Sequence, residues 1–397
     1  MDKLQIIYAN RKDCFEKPGG DTVQMLKTKE FIEKNYPVEV KICLCPKDIE
    51  NYTNAPIVHI FNLETITQTN EFIKIAKKTG KKVVLSTIHW NYLDTYYVKY
   101  LEFIGLSPIN VPDIIKKILI KTFNIFILYL PKLRKKFSNF IDKGLYCTKQ
   151  YQQLRKKAIK NSDLLLPNSI EEMNLCADDF NLSRNYIESK TVVVPNATEI
   201  LSQIQGNEEE IKLNLPEKYV VIAGRIDSPK NQYNIVRALF NDNDIGIVIV
   251  GRVQSEKTYK RVKKLADKRG NVYFIPQTEQ KNLIAIYKNA ICHILPSFCD
   301  TTGLVNLEAI LCGTPIVVSN SKHCPVEFYE FGKFGEICDP YSPKSIRNAV
   351  YKILENNKRV EISNDYKYKI SYENVAKLTF LAYERLLKGK VKNEIQC

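Results

Sequence analysis

The sequence predicts an α/β protein of two doubly wound domains, each a parallel sheet covered by helices. Short β-rich runs alternate with helical stretches along the chain, which is typical of βαβ units with right-handed crossovers. The length of 397 residues favours two domains over one core. A polar, acidic stretch near residue 205, ILSQIQGNEEE, separates two series of strands and is the best linker candidate.

The elements follow in order from their patterns. The first series contains the buried strands LQIIYA, VEVKICL, IVHIF and KVVLST, with helical spacing in DTVQMLKTKEFIEKN. After a basic insert the pattern resumes with SDLLLPNS and TVVVPNA, and the second series contains KYVVIAG, IGIVIVG, NVYFIP, ICHILPS and TPIVVSN. We therefore predict an N-terminal domain at 1–200, a C-terminal domain at 201–370, and a helix at 371–397 that packs back toward the first. The cleft between the domains is the expected ligand site.

Composition narrows the class of protein. Hydrophobic residues make up 44% and charged residues 26%, as in an ordinary globular chain. The sequence has no apolar run of 18 residues, so we expect no membrane-spanning helix. The stretch MDKLQIIYAN lacks the basic, apolar and small-residue zones of a signal peptide. We therefore expect a cytoplasmic protein whose eleven cysteines are thiols. The spacing of those cysteines does not match the paired cysteines of zinc sites.

The net charge of +15 is concentrated in one insert at residues 111–160. This insert holds thirteen Lys and Arg against two Asp, interleaved with Ile, Leu and Phe. A nucleic-acid binder would spread its basic residues over a groove, whereas this mixture is typical of a segment at a membrane interface. An ordinary helix with a solvated basic face is the other interpretation, and the sequence leaves both open. An anionic membrane surface is thus a possible partner, and nucleic acid is not expected.

The stretch SFCDTTGLVNLEAILC combines a strand end, a loop and a helix. The backbone N–H groups of Thr302, Gly303 and Leu304 should point out of the helix N-terminus, where phosphate binds. Asp300 lies just before them and Glu308 lies about one turn into the helix. Carboxylates accept hydrogen bonds from sugar or ribose hydroxyls. The pattern therefore predicts a nucleotide-sugar site.

Two further loops carry groups suited to a diphosphate. GRIDSPK places Arg225 and Lys230 after a strand, where a forked and a mobile cation suit two phosphates. Two solvated surface cations are the alternative. KPGGDTVQ places Gly19 and Gly20 before a helix, which lets backbone N–H groups approach an anion. An ordinary turn is the alternative there.

These motifs resemble those of the retaining family 4 glycosyltransferases of the GT-B fold. GRIDSPK matches the family's loop in which three to five residues separate Gly-Arg from Lys, and PSFCDTTGLVNLEAILCGTPIVVSN matches its acidic E-x7-E motif with the following strand. The Gly-Gly loop, LLLPNSIEE, VVPNA and the final AYERLL extend the resemblance over the chain. Two positions depart from the pattern: Asp300 replaces the first glutamate, and Ala197 stands where the hinge usually has glycine. The shorter Asp300 bears on the reach toward the sugar and leaves the fold unaffected.

The resemblance implies a role for each donor-side residue. Arg225 and Lys230 would neutralise the departing diphosphate in place of a metal, so neither a metal nor a cofactor is expected. Glu308 would hold the ribose and Asp300 the hydroxyls of the transferred sugar. Gly20 would approach the diphosphate when the domains close. The donor-binding turn comprises Thr301, Thr302, Gly303 and Leu304.

The acceptor side is expected in the N-terminal domain. VVLSTIHWNYLD places His89 beyond a strand, where the family often has a histidine near the donor sugar. His89 would bind a sugar hydroxyl or orient the reacting groups, and packing beside Trp90 is the alternative. His59 is a weaker candidate, and His293 and His323 are expected to be structural.

The resulting hypothesis is a retaining glycosyltransferase of cell-surface polysaccharide biosynthesis. It would move a sugar from a nucleotide-diphosphate sugar to a glycan or lipid-linked glycan at the cytoplasmic face of a membrane. The second hypothesis is a non-catalytic nucleotide-sugar or glycan-binding relative of the same fold. Retention of Arg225, Lys230 and Glu308 favours the enzyme, while Asp300 keeps the alternative open.

Overall fold

The computed structural model describes residues 3–128, 149–199 and 215–389. The predicted linker and the part of the basic insert at 129–148 lie outside these ranges. The chain forms two compact units. Unit 1 contains the described residues of 1–90, 146–198 and 365–397, and unit 2 contains those of 91–145 and 199–364.

The helices and strands alternate over most of the described chain. The strands are β1 (Leu4–Ala9), β2 (Val38–Cys43), β3 (Ile57–Phe61), β4 (Lys82–Ser86), β5 (Leu164–Leu165), β6 (Tyr219–Ala223), β7 (Gly246–Val250), β8 (Val272–Ile275), β9 (His293–Leu295), β10 (Ile316–Ser319) and β11 (Gly335–Cys338). The helices are α1 (Gly20–Asn35), α2 (Ile66–Lys78), α3 (Leu93–Phe103), α4 (Asp113–Leu128), α5 (Lys149–Asn161), α6 (Ile170–Asp179), α7 (Arg184–Ser189), α8 (Gln232–Ala238), α9 (Glu256–Arg269), α10 (Gln280–Asn289), α11 (Leu304–Leu311), α12 (Phe331–Phe334), α13 (Pro343–Asn356), α14 (Asn364–Lys369) and α15 (Tyr372–Lys388). Short 3-10 turns occupy Pro46–Asn51 and Ser228–Lys230.

Unit 1 is built on a parallel sheet of order β2-β1-β3-β4-β5. The central strand β1 is mostly apolar because both of its faces are covered: Ile7 packs in one core cluster, and its neighbour Ile6 packs in the other with Tyr383 of α15. Gln24 of α1 joins α15 to the segment at Ala197. Its amide donates to the Ala197 carbonyl (2.7 Å) and to the Tyr372 hydroxyl (2.9 Å). The alanine that replaces the usual hinge glycine is thus fully buried and hydrogen bonded.

Unit 2 is built on a parallel sheet of order β11-β10-β9-β6-β7-β8. The order reverses between β6 and β9, and in such sheets ligands bind at the carboxyl ends of the strands beside the reversal. Strand β6 and its neighbour β7 are buried throughout their length. Both GRIDSPK and the CDTTG loop follow strands at this point.

The structure differs from the sequence-based expectation at two segments. TVVVPNA is not a strand, because it meets β5 only through a bridge at Thr191 and backbone donation from Val192 and Val194 to Leu165 and Pro167. Proline has no N–H to continue such a ladder. Strand β11 was not expected from its short sequence GEIC. It needs glycine at its start, since a Cβ at Gly335 would lie 1.9 Å from the Ile316 carbonyl oxygen.

Helices α3 and α4 belong to unit 2 and α5 to unit 1, whereas the sequence placed all three in a first domain at 1–200. Arg261 of α9 explains part of this packing: its guanidinium donates to the Leu106 carbonyl (2.7 Å) and to the Ser107 hydroxyl (3.1 Å). No helix in the described part of the chain combines the length and apolar character needed to span a membrane.

Candidate functional site: the loops after strands β6 and β9

The loop after β9 leads directly into α11 through Gly303. Gly303 has a φ of +68°, in the left-handed region that glycine adopts without strain. A Cβ at this position would also lie 2.6 Å from the Asn306 amide nitrogen. The turn therefore requires glycine. The Asn306 N–H donates to the Gly303 carbonyl (2.7 Å), and the N–H groups before it lie at the helix N-terminus, where an anion is favoured.

The loop after β6 is fastened to the β9 loop. Asn231 adopts φ +63°, which asparagine tolerates better than most residues, and its amide donates to the carbonyls of Pro296 (2.9 Å) and Pro340 (2.8 Å). The Phe298 N–H donates to the Pro229 carbonyl (2.9 Å). These bonds fix the Ser228–Lys230 turn against the segment that carries Asp300. Sequence reasoning passed over Asn231, although a polar residue after Pro-Lys in a tight turn was a usable signal.

Lys230 and Asp300 form the central pair of this site. The Lys230 ammonium donates to both carboxylate oxygens of Asp300, at 2.7 and 3.0 Å. Both side chains are mostly buried, with 16% and 13% of their surfaces exposed. The Asp300 N–H donates to the His323 carbonyl (2.8 Å). The two predicted residues, 70 positions apart, are thus brought together as a neutral, partly accessible ion pair.

Arg225 is the more accessible cation. About half of its side chain is exposed, and its guanidinium lies 3.9 Å from the Asp227 carboxylate. Its backbone carbonyl accepts a hydrogen bond from the Gln232 amide (2.8 Å), which fixes the start of the loop. Arg225 can therefore reorient toward an anion without first breaking a close ion pair.

Glu308 has a different electrostatic environment from Asp300. It lies on α11, four residues after Leu304, and accepts a hydrogen bond from the Tyr287 hydroxyl at 3.4 Å. Burial raises the pKa of the Glu308 carboxyl to about 7, although the Tyr287 hydrogen bond acts in the opposite direction. A ligand that offers hydroxyl donors would favour the carboxylate form. Such a group is suited to hold a ribose.

The remaining residues of the predicted turn flank α11. Thr302 is buried, with its hydroxyl 3.4 Å from that of Tyr329, whereas Thr301 and Leu304 are partly exposed. The donor-side residues from Arg225 to Glu308 therefore all lie in unit 2, on loops or a helix start that follow β6 and β9.

Gly20 lies in unit 1, where it is the first residue of α1. Gly19 precedes it in an extended conformation as the N-cap. Arg11, which the sequence reasoning did not single out, lies beside this turn and pairs with Asp13 (2.8 Å) and Asp21 (3.2 Å). The positive charge next to the Gly-Gly turn is thus already balanced by two carboxylates.

His89 also lies in unit 1 and is fully buried. Its Nε2 lies 2.9 Å from the Asp179 carboxylate, and its ring packs 5.0 Å from that of Phe180. Trp90, the next residue in the sequence, is also fully buried. His89 is therefore held by its own unit, and its role toward a substrate stays a prediction. His59 is buried too, with Nδ1 2.6 Å from the Tyr383 hydroxyl and a pKa that burial lowers to about 3.

A buried carboxylate, Glu172, fixes the loop that carries His89. It accepts hydrogen bonds from the Thr87 hydroxyl and from the N–H groups of His89 (2.8 Å) and Asn168 (2.9 Å). Ser169 caps α6 by accepting from the Glu172 N–H (3.0 Å). The sequence signal was present, since Ser169-Ile-Glu-Glu172 is a capping box. The spacing did not show that the Glu172 carboxylate also binds Thr87 and His89 in the loop after β4.

Comparison with known families assigns part of the chain. Residues 204–370 match the family model described as glycosyl transferases group 1. D-inositol 3-phosphate glycosyltransferase from Corynebacterium glutamicum (strain R) is 25% identical over 227 residues, or 53% of each chain. An uncharacterized glycosyltransferase of Methanocaldococcus jannaschii is 28% identical over 180 residues, which is 42% of this chain and 45% of that protein. The chain thus spans about half the length of the curated relatives it matches.

Solved structures resemble the whole chain at low sequence identity. Sucrose-phosphate synthase from Thermosynechococcus elongatus superposes with a TM-score of 0.68 at 14% identity, covering 98% of this chain and 100% of that one. Anabaena HepE, solved in complex with UDP and glucose, gives a TM-score of 0.59 at 14% identity, with coverage of 97% and 96%. These matches and the two parallel sheets confirm the predicted GT-B fold. The family match supports the interpretation of the chain as a glycosyltransferase, with a group 1 domain at residues 204–370.

Proposed function

We propose that the protein transfers a sugar from a nucleotide-diphosphate sugar to an acceptor hydroxyl. The observation that carries this proposal is the Lys230–Asp300 pair beside the N-terminus of α11, with the half-exposed Arg225 on the same loop as Lys230. A diphosphate brings negative charge, and this loop pair offers two cations and the N–H groups at a helix N-terminus. The relative HepE was solved with UDP and glucose, which fits this donor class.

Each group at the site has a distinct task in this proposal. Arg225, Lys230 and the first N–H groups of α11 bind the diphosphate and stabilise the charge it gains as it departs. Glu308 accepts hydrogen bonds from the ribose hydroxyls. Lys230 moves partly from Asp300 to phosphate, which releases carboxylate oxygens of Asp300 for the hydroxyls of the transferred sugar.

The reaction balances without an added reagent. The bond between the sugar anomeric carbon and the diphosphate oxygen breaks, and its electron pair leaves with the nucleoside diphosphate. The acceptor oxygen forms the new bond to the anomeric carbon on the same face. The acceptor proton passes to a phosphate oxygen of the leaving group. The anomeric configuration is therefore retained, and Gly20 and His89 are proposed to assist from unit 1.

The acceptor is proposed to be a glycan or lipid-linked glycan of cell-surface polysaccharide synthesis. The support comes from α4, whose two sides differ. Lys116, Ile120 and Phe123 are buried, whereas Ile114 and Ile118 expose 65% and 57% of their surfaces. Exposed lysines, Lys117 and Lys121, follow in the same helix, and an apolar surface with cations is complementary to anionic lipid. We therefore propose peripheral binding to the cytoplasmic face of a membrane.

A donor screen tests the proposed activity. UDP-, GDP- and ADP-sugars are each added to the protein, and the midpoint of thermal unfolding and the release of nucleoside diphosphate are measured. We expect one nucleotide class to raise the midpoint and to be hydrolysed slowly without acceptor, and the matching nucleoside monophosphate to be weaker. Stabilisation without any hydrolysis or transfer would favour the non-catalytic binding relative. No stabilisation by any nucleotide would overturn both interpretations.

Vesicle co-sedimentation tests the membrane proposal. Wild-type protein should sediment with vesicles containing phosphatidylglycerol and much less with pure phosphatidylcholine. The double variant Ile114→Glu, Ile118→Glu should lose this binding and retain donor hydrolysis. Ile337→Glu is the matched control, because Ile337 is 41% exposed on β11, outside α4. Equal sedimentation of the double variant and the control would contradict the role of α4.

A further inference from the structure

A buried carboxylate on α3 collects hydrogen-bond donors from three other parts of unit 2. Asp94 lies in the first turn of α3 with only 4% of its side chain exposed. The Lys116 ammonium from α4 and the Tyr341 hydroxyl (2.8 Å) donate to one oxygen. The His323 Nε2 (3.0 Å) and the Lys322 ammonium (3.4 Å) approach the other. Neither the sequence motifs nor the proposed reaction uses this cluster.

The cluster is built for an ionised carboxylate. Lys116 is fully buried, lies 4.8 Å from the centre of the Tyr341 ring and also donates to the Asn110 side chain (3.0 Å). Burial alone would raise the pKa of the Asp94 carboxyl, but the bonds from His323, Lys116 and Tyr341 outweigh it and hold that pKa below its usual range. Removing one partner from such a buried cluster is costly, because the remaining charges stay desolvated.

His323 connects the cluster to the candidate site. Its Nδ1 lies 2.9 Å from the Asn320 side-chain oxygen while its Nε2 faces Asp94, so both ring nitrogens are engaged. The His323 backbone carbonyl accepts the N–H of Asp300 (2.8 Å). Because the ring is fixed on both sides, the direction of this carbonyl is fixed as well. The path from Asp94 to the Asp300 backbone therefore passes through a single residue.

The same helix also contacts the loop that carries Lys230. The Glu102 carboxylate, near the C-terminal end of α3, accepts a hydrogen bond from the Ser228 hydroxyl (3.2 Å). Ser228 begins the 3-10 turn that ends at Lys230. The two ends of α3 thus hold the two loops whose side chains form the Lys230–Asp300 pair.

We propose that Asp94 and His323 are positioning residues that set the Asp300 loop for sugar transfer. The ion cluster on α3 fixes the His323 carbonyl, and this carbonyl fixes the Asp300 backbone so that its carboxylate meets Lys230 and the sugar hydroxyls. The effect on catalysis rests on the proposed function, whereas the effect on the loop does not. A displacement of about 1 Å at a catalytic group is enough to lower a rate by about 100-fold.

Amide hydrogen exchange tests the effect on the loop without any substrate. Asp94→Asn keeps the size of the side chain and removes its charge. Peptides that contain Asp300 should exchange at least about tenfold faster in Asp94→Asn than in wild type. Asp242→Asn is the matched control, since Asp242 is another mostly buried carboxylate of unit 2, bound by Arg347 (2.7 Å) and Tyr351 (2.7 Å). Equal exchange in the two variants would overturn the proposal.

Two milder variants keep the test informative if Asp94→Asn does not fold. Tyr341→Phe removes one donor and leaves Lys116 and His323 in place, so a smaller increase in the same peptides is expected. His323→Gln retains a side-chain N–H near the Nε2 position and should exchange more slowly than His323→Ala. Identical exchange in the Gln and Ala variants would contradict a role for the hydrogen bond to Asp94.

Kinetics with the donor found by screening test the catalytic consequence. Asp94→Asn should lower kcat by about 30-fold or more with the donor KM changed by less than about threefold, and Asp242→Asn should leave both near wild type. Faster loop exchange with an unchanged kcat would contradict the positioning role while leaving the loop contact intact. If wild type itself lacks activity with every donor, the proposed function fails and the exchange result still decides the structural part.

Discussion

The loops after β4 and β9 each follow a strand at the carboxyl edge of a parallel sheet. Each carries a predicted functional residue, His89 in the first loop and Asp300 in the second. In unit 1 the β4 loop is held by Glu172, which accepts hydrogen bonds from neutral N–H and hydroxyl groups. In unit 2 the β9 loop is held by Lys230 and, through His323, by the charged cluster on Asp94. Burial raises the pKa of the Glu172 carboxyl. The pKa of the Asp94 carboxyl is lowered, because hydrogen bonds from His323, Lys116 and Tyr341 outweigh its burial.

The two loops differ in whether their charged groups are accessible to a ligand. The β4 loop is enclosed by residues of its own unit, and His89 is fully buried against Asp179 and Phe180. The β9 loop keeps a partly accessible carboxylate, Asp300, paired with the partly accessible Lys230 of the β6 loop, and Arg225 lies half exposed on that same β6 loop. Only the second arrangement offers charges that a polyanionic ligand can reach without unfolding the loop. The proposed donor chemistry therefore belongs to unit 2.

The largest expected effect comes from removing Lys230, the cation of the β6 loop that pairs with Asp300. Lys230→Ala should lower kcat for sugar transfer by at least about 100-fold, because a charge that stabilises the leaving group contributes about 3 kcal/mol or more. Steady-state kinetics measures the loss, and the unfolding midpoint checks the fold. Lys352→Ala is the matched control, since Lys352 is 64% exposed and pairs with Glu336 on the surface. A near-normal kcat in Lys230→Ala would remove the basis for the donor site.

A smaller effect separates the two loops by their response to pH. Because the folded-state pKa of Asp94 is lowered, its contribution is fully present above pH 3.8 and is lost as the pH falls. Because that of Glu172 is raised above 4.5, the folded protein loses stability as the pH rises from that value. Urea unfolding from pH 3 to 8 should therefore show the stability deficit of Asp94→Asn shrinking toward low pH. For Glu172→Gln, stability relative to wild type should increase toward high pH, and parallel curves for both variants would contradict this contrast.

Removal of divalent cations is expected to have the smallest effect on the rate. Donor hydrolysis and transfer should proceed unchanged in excess EDTA, because Arg225, Lys230 and the α11 N-terminus are proposed to supply the positive potential. Rates are compared before and after chelation, with added Mg²⁺ or Mn²⁺ as the control. A strict requirement for either ion would mean that the cations of the β6 loop and the N-terminus of α11 do not suffice for the diphosphate.

The fold and the local motifs were predictable because they depend on short-range patterns. Apolar strands that alternate with helical stretches predicted the parallel sheets. Gly303 and the apolar helical pattern that follows it predicted the start of α11. Strand β11 escaped prediction because its sequence is only 4 residues long, and its pairing depends on the close approach of Gly335 to β10. TVVVPNA looked like a strand, but Pro167 and Pro195 limit its backbone pairing.

The residues that fix the site were less predictable, because their partners are distant in sequence. Lys230 and Asp300 could each be singled out from a motif, but their direct contact across 70 positions could not. Asp94 and His323 are 229 positions apart, and no motif singled out either of them as a site residue. His323 was accordingly expected to be structural. Spacing identifies groups with suitable chemistry, whereas tertiary packing decides which of them hold one another in place.

We propose above all that a nucleoside diphosphate binds at the loops after β6 and β9. The most direct test is amide hydrogen exchange of the wild-type protein with and without UDP, GDP or ADP, using whichever raises the unfolding midpoint. We predict slower exchange in peptides spanning 224–232 and 297–308, and no change in peptides spanning 343–356 of α13. A nucleoside diphosphate that stabilises the protein yet leaves exchange at 224–232 and 297–308 unchanged would contradict the account.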